Sequence, residues 1–247
     1  MNAINVLQKT YENLYVARIP LLEFLQNRLP VISSQWKIDC IDRILYTDDN
    51  LTIQQKNKLN TERKDISQFD IYYLLQVLLE KNNWNLLKEF FPEDAYYFDN
   101  KNKELYYEVR DIRCTVMHPS LLEYNYEDYI RWENIISNFV DVFSPNKSLQ
   151  ELRREYHQIE KEKLLNLILI NVINPALASD NLSEDMKLRI INTKDRLEKQ
   201  NTAEGIIAFF TDALDSLAGK EIAQILEIND LKSFEKIKDE ILKEYYK

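Results

Sequence analysis

The sequence predicts an all-α protein made of two helical blocks, residues 1–145 and 148–247. Three observations carry this reading. Apolar residues recur at three- and four-residue steps along most of the chain, the spacing of one helix face. Only 2 glycines and 6 prolines occur in 247 residues. That is too few for a turn-rich sandwich or barrel, or for the glycine loops that cradle phosphates in Rossmann and P-loop folds. Hydrophobic residues make up 45% of the chain, enough for real cores.

The first helix is predicted over residues 4–29, with Ile4, Leu7, Tyr11, Leu14 and Tyr15 as its apolar stripe and Pro20 as a point of kinking or splitting. Ser33 and Ser34 form a candidate cap for a second helix, 36–46, in which Cys40 takes a core position. A polar tract follows and holds at most a short helix at 53–59. After Ser67 an apolar helix runs to Phe91, with a break expected at Asn82 and Asn83, Trp84 as a core anchor and Pro92 as the stop. Residues 102–117 read as the next helix. Residues 126–142 read as another, with Tyr129, Trp132, Ile136 and Val140 available for burial.

The tract SPNKS, residues 144–148, is the expected boundary between the blocks. Beyond it, 149–173 reads as one long helix that becomes almost wholly apolar. Ser183 opens a further helix, 202–217 forms another, and two short helices at 220–226 and 231–245 close the chain, the last capped by Asn229 or Asp230.

Several function classes are disfavoured by composition. The net charge is −9, whereas a non-specific duplex-DNA binder carries a basic surplus to neutralise phosphates. Cys40 and Cys114 are the only cysteines, giving neither a disulfide framework nor a zinc-ligand spacing, which suits a reducing cytosol. With two histidines and no DxD or HExxH frame, no metal and no cofactor are expected. His157 stands among charged residues and reads as a surface side chain. The N-terminal residues lack the pattern of a secretory signal, and the longest apolar run, LLNLILINVI, is about half a membrane span. A soluble, cytoplasmic protein with no membrane contact is expected.

The chemistry concentrates in EVRDIRCTVMHP, residues 108–119, at the end of the helix 102–117. Arg113 and His118 form an R-x4-H spacing. A five-residue step turns a helix by roughly 500°, leaving the two side chains about 140° apart. A helix that stops before Pro119 offers His118 a route back toward Arg110 and Arg113, because the residue preceding a proline is pushed out of the α region. Histidine exchanges protons near neutral pH, and arginine offers a permanent charge and a fork of donors to a phosphate. Such a pair can cleave RNA without a metal. The plainer reading pairs Arg110 (with Glu104 or Glu108) and Arg113 with acidic residues on a solvated face, while His118 caps the helix end. Tyr107, seven residues before Cys114, stacks on a base in the first reading and packs inward in the second.

The segment VRDIRCTVMHP, following an aliphatic helix, the pair NW and a phenylalanine, resembles the signature of the HEPN superfamily (higher eukaryotes and prokaryotes nucleotide-binding). The likeness covers roughly residues 67–142. It implies a HEPN-like helical bundle, with residues 148–247 as an additional helical domain of unassigned function. It also implies a metal-independent endoribonuclease acting as a homodimer in a prokaryotic toxin–antitoxin or phage-defence system, cleaving by 2′-hydroxyl attack. By resemblance Arg113 and His118 fall on the catalytic arginine and histidine, with Arg110, Cys114 and Tyr107 as substrate-contacting candidates. Cys114 stands where the family usually carries Asn, Asp or another strong polar residue, and a thiol is a weak hydrogen-bond donor. The alternative is therefore a catalytically silent HEPN module for dimerisation, with an antitoxin or a defence-complex protein held through the C-terminal domain.

Overall fold

Helix α1, Ala3–Ile32, is the element around which the first half of the chain packs. The structure is a computed structural model and describes residues 2–42, 52–53, 66–90, 102–119, 124–180 and 182–216. All regular structure among these residues is helical, with nine α-helices and no strand. Contacts divide the chain into two compact units, Met1–Arg153 and Arg154–Lys247.

In the first unit, Asn2 caps α1 by accepting from the Asn5 N–H at 2.9 Å. The helix runs unbroken through Pro20. A proline inside a helix costs roughly 3 kcal/mol, and burying two leucine-sized side chains offsets that; α1 buries ten residues, Pro20 among them. The buried arc is Val6, Thr10, Asn13, Leu14, Ala17 and Leu21. Of the apolar stripe expected from sequence only Leu14 is buried, and Ile4, Tyr11 and Tyr15 are exposed. Two polar residues enter the core in their place. The Thr10 hydroxyl donates to the Val6 carbonyl at 2.8 Å, and Asn13 lies beside Tyr129.

The apolar helix expected after Ser67 is divided, as anticipated, into helix α2, Ile71–Leu79, and helix α3, Lys81–Leu87. The break falls at Glu80, not at the two asparagines. Glu80 leaves the helical region (φ −54°, ψ 133°), and its carboxylate accepts from the N–H groups of Asn82 and Asn83, each at 2.9 Å. Asn83 is buried and donates its amide to the carbonyls of Cys40 (2.9 Å) and Val77 (2.8 Å). It thereby ties the widened helical turn Lys37–Asp42 to the end of α2. Cys40 and Trp84 are core residues, as the sequence suggests.

Helix α4, Asn102–Met117, and helix α5, Tyr126–Phe143, follow the sequence closely. Asn125 and Asp128 form a reciprocal capping box at the start of α5. Tyr129, Trp132, Ile136, Phe139 and Val140 form its inner face, and α1 packs along it. Helix α4 packs on α1, α2 and α5. At its centre the fully buried Tyr106 touches Trp84, Phe139 and Phe143, with ring centroids 5.7, 5.9 and 6.0 Å away. The SPNKS tract makes the turn into helix α6, Leu149–Ile168, where Ser148 and Glu151 cap the first turn. Arg153 then bridges Glu12 (3.1 Å) and Glu133 (3.6 Å), and Glu133 accepts from the Tyr129 hydroxyl at 2.6 Å.

The second unit has its own core, which includes Leu164, Ile168, Ile173, Ile190, Leu197 and Phe210. The long helix expected over 149–173 does not stay regular. Its last turns, Leu169–Ile173, widen, and the Asn174 N–H bonds back to Leu169 before helix α7, Asn174–Ala178. Pro175 has no N–H, and its ring would crowd the carbonyl of Asn171 in a regular helix; wider turns ahead of it relieve that crowding. Helices α8, Glu184–Glu198, and α9, Ala203–Asp215, begin at Ser183 and Thr202, each accepting from the third N–H of its helix. The helices expected at 220–226 and 231–245, and nearly all of 53–59, lie outside the described residues. No described helix is long and apolar enough to cross a membrane.

Burial pushes the Tyr106 phenol well above its ordinary pKa of 10.0. Tyr129 is raised by burial and by the bond and charge of Glu133, against smaller lowering by Asn13 and Arg153. The folded state keeps these protons where unfolded tyrosines release them, at about pH 10, so the stability present below that pH is lost as pH rises above it. Urea unfolding between pH 8 and pH 11 should show a falling midpoint, and Tyr106→Phe should flatten the fall. An equal slope in wild type and variant contradicts the assignment.

Candidate functional site

Helix α4 buries Tyr106, Val109, Ile112 and Val116, at steps of three and four residues, so its rotation in the bundle is fixed. Everything else on the helix follows from that rotation. At 100° per residue, Tyr107, Arg110, Cys114 and His118 fall within an outer arc of roughly 80°. Tyr107 is 39% exposed, and the Arg110 guanidinium lies over its ring at 4.8 Å. Tyr107 does not pack inward, because the adjacent Tyr106 takes the core position. Arg110 pairs with Asp111 at 3.5 Å, not with Glu104 or Glu108 as expected. Such an exposed pair is worth little, on the order of 0–1 kcal/mol.

Arg113 leaves this arc and turns to the N-terminus of α2. Its Nη2 forms an ion pair with Asp70 Oδ2, and the guanidinium lies 5.2 Å from the centre of the Tyr72 ring. The side chain is 19% exposed. Asp70 is also the cap of α2, its Oδ1 accepting from the Tyr73 N–H at 3.1 Å. One carboxylate thus serves a helix end and an arginine. The turn before it, Ile66–Gln68, is held from α1 by Arg18, which donates to the carbonyls of Ser67 and Phe69.

His118 is exposed, and no side-chain partner for it is found among the described residues. Its N–H still donates to the Cys114 carbonyl at 3.0 Å, so the helical register continues to the histidine. The swing toward the arginines expected from an opened last turn is not observed. Pro119 restricts the φ and ψ of His118 itself, whereas the direction of the His118 N–H is set by the residues before it. Arg113 and His118 therefore keep a separation of about 140° around the helix, and one chain does not bring imidazole and guanidinium together. Cys114 is half-buried beside them.

The residue missed in the sequence is Asp70. An acidic residue directly before an apolar run is a helix-start signal that could have marked it, although Ser67, three residues earlier, carries a competing one. Among the described residues no group of three or more His, Cys, Asp or Glu could hold a metal ion. His157 is exposed, as expected.

Compared with models of protein families, with curated proteins and with solved structures, the chain finds no match in any of the three.

The two thiols should differ sharply in access. A thiol-reactive chromophore added to native protein is expected to label Cys114 first and Cys40 only after denaturant is added. Cys114→Ser should remove the fast phase, and fast labelling of both thiols in the native state contradicts the burial of Cys40.

Proposed function

We propose that the chain is a metal-independent endoribonuclease of HEPN type, acting as a homodimer in a toxin–antitoxin or phage-defence setting. The observation that carries the reading is the end of α4. It presents an exposed histidine, a strip with Tyr107 and Arg110, and an arginine that spends one N–H donor on Asp70 out of the five it has. Because Arg113 and His118 of one chain point apart, the reaction needs two copies. Pairing of two α4 ends about a twofold axis would set each His118 near the other copy's Arg113.

The chemistry is a transesterification. The 2′-oxygen bonds to the adjacent phosphorus as the bond to the 5′-oxygen breaks, leaving a 2′,3′-cyclic phosphate and a free 5′-hydroxyl. The 2′-hydroxyl loses its proton and the leaving oxygen gains one, with His118 as the group that transfers or positions protons. Arg113 opposes the negative charge that builds on the phosphate. Tyr107 offers an aromatic face to an unpaired base and Arg110 a second phosphate contact.

A second reading is a silent dimerisation module, with a protein partner held through the second unit. Asp70 favours it by already balancing the charge of Arg113, as does a thiol at position 114.

Digestion of total RNA in EDTA should yield fragments ending in cyclic phosphate. His118→Ala should lose cleavage by a factor of 100 or more, within the range of about 10²–10⁴ typical of a lost proton-transfer group. This side chain is exposed, so its removal leaves the fold intact. Undiminished cleavage in the variant excludes the mechanism, and a wild type that cuts nothing selects the silent module.

A further inference from the structure

A mobile arginine is a poor electrostatic catalyst, since the long side chain must be ordered each time charge develops on the substrate. Arg113 is ordered in advance. Its guanidinium is held laterally by the Asp70 carboxylate and lies over the face of Tyr72. Asp70 is itself fixed from two sides: Oδ1 is engaged by the Tyr73 N–H, and the turn leading into it is gripped by Arg18 through the Ser67 and Phe69 carbonyls. A rigid path therefore runs from α1 through the start of α2 to an arginine on α4.

We propose that Asp70 is the positioning residue for Arg113 in RNA cleavage, aiming the guanidinium at the scissile phosphate while capping α2 with its other oxygen. The proposal rests on the ribonuclease reading. Asp70 touches no reacting atom in this role; it acts through the arginine. It differs from a purely structural cap in one respect. A cap needs only an acceptor for the Tyr73 N–H, whereas positioning needs the second oxygen and its charge.

Asp70→Asn separates the two. Asparagine caps a helix about as well as aspartate, but its amide would turn an N–H₂ group toward the guanidinium, donor against donor. Cleavage of a labelled pool of random-sequence single-stranded oligoribonucleotides in EDTA would be followed for wild type, Asp70→Asn, Asp70→Glu and His118→Ala, with thermal unfolding of each. The expected result is a fall in kcat of tenfold or more in Asp70→Asn, with KM changed less than threefold and an unfolding temperature within a few degrees of wild type. Asp70→Glu, which restores the charge on a longer stem, should recover part of the lost kcat. Unchanged kcat in Asp70→Asn, alongside lost cleavage in His118→Ala, overturns the positioning role and leaves the ribonuclease reading standing. Equal loss of kcat in the asparagine and glutamate variants, each with a lowered unfolding temperature, reduces Asp70 to a structural cap. A wild type that does not cleave the pool overturns both.

Discussion

The burial of Tyr106 is the constraint on which the candidate site depends. This ring sits among Trp84, Phe139 and Phe143, and with Val109, Ile112 and Val116 it locks the rotation of α4. A helix has one rotational freedom about its axis, and four buried side chains on one stripe remove it. Arg113 is thereby delivered to the N-terminus of α2, and Tyr107, Arg110, Cys114 and His118 are turned outward. Exchanging the roles of Tyr106 and Tyr107 would rotate the helix by about 100° and take Arg113 away from Asp70.

The polar contacts then refine what the apolar core has placed. Asp70 is 40% exposed at the side chain, so its pair with Arg113 adds modest stability. Its larger effect is geometric, since it joins the start of one helix to the last turns of another. Arg153 has a comparable role within the first unit, where it joins Glu12 of α1 to Glu133 of α5. Glycine is scarce in this chain, and side chains do the work at helix starts: Asn2, Asp70, Glu80, Asn125, Ser183 and Thr202 all accept from backbone N–H groups.

The motif helix was legible in the sequence because its signals agree: an apolar period of 3.6, a proline two residues past the end, and neighbours with caps of their own. Helix α5 was legible for the same reason, down to its buried positions. Helix α1 misled because it carries two overlapping arcs at helical spacing. Ile4, Tyr11 and Tyr15 recur at the same spacing as the buried arc, which carries Thr10 and Asn13 among its apolar residues, and only the partner surface decides between them. Regular periodicity also hid the widened turns before Pro175, since a widened turn shifts the register without changing the apolar composition. The HEPN resemblance pointed to Arg113 and His118 as a pair. What sequence could not supply was the pairing of Arg113 with Asp70, which lies 43 residues away and meets it only through the packing of α4 on α2.

A double-mutant cycle between Asp70 and Arg113 tests this arrangement most directly. Stability would be measured for wild type, Asp70→Asn, Arg113→Gln and the double variant, at low salt and at 1 M salt. A half-exposed ion pair predicts a coupling of roughly 0.5–1 kcal/mol at low salt that shrinks at high salt. Additive effects of the two substitutions at both salt concentrations would contradict an energetic coupling of Asp70 to Arg113.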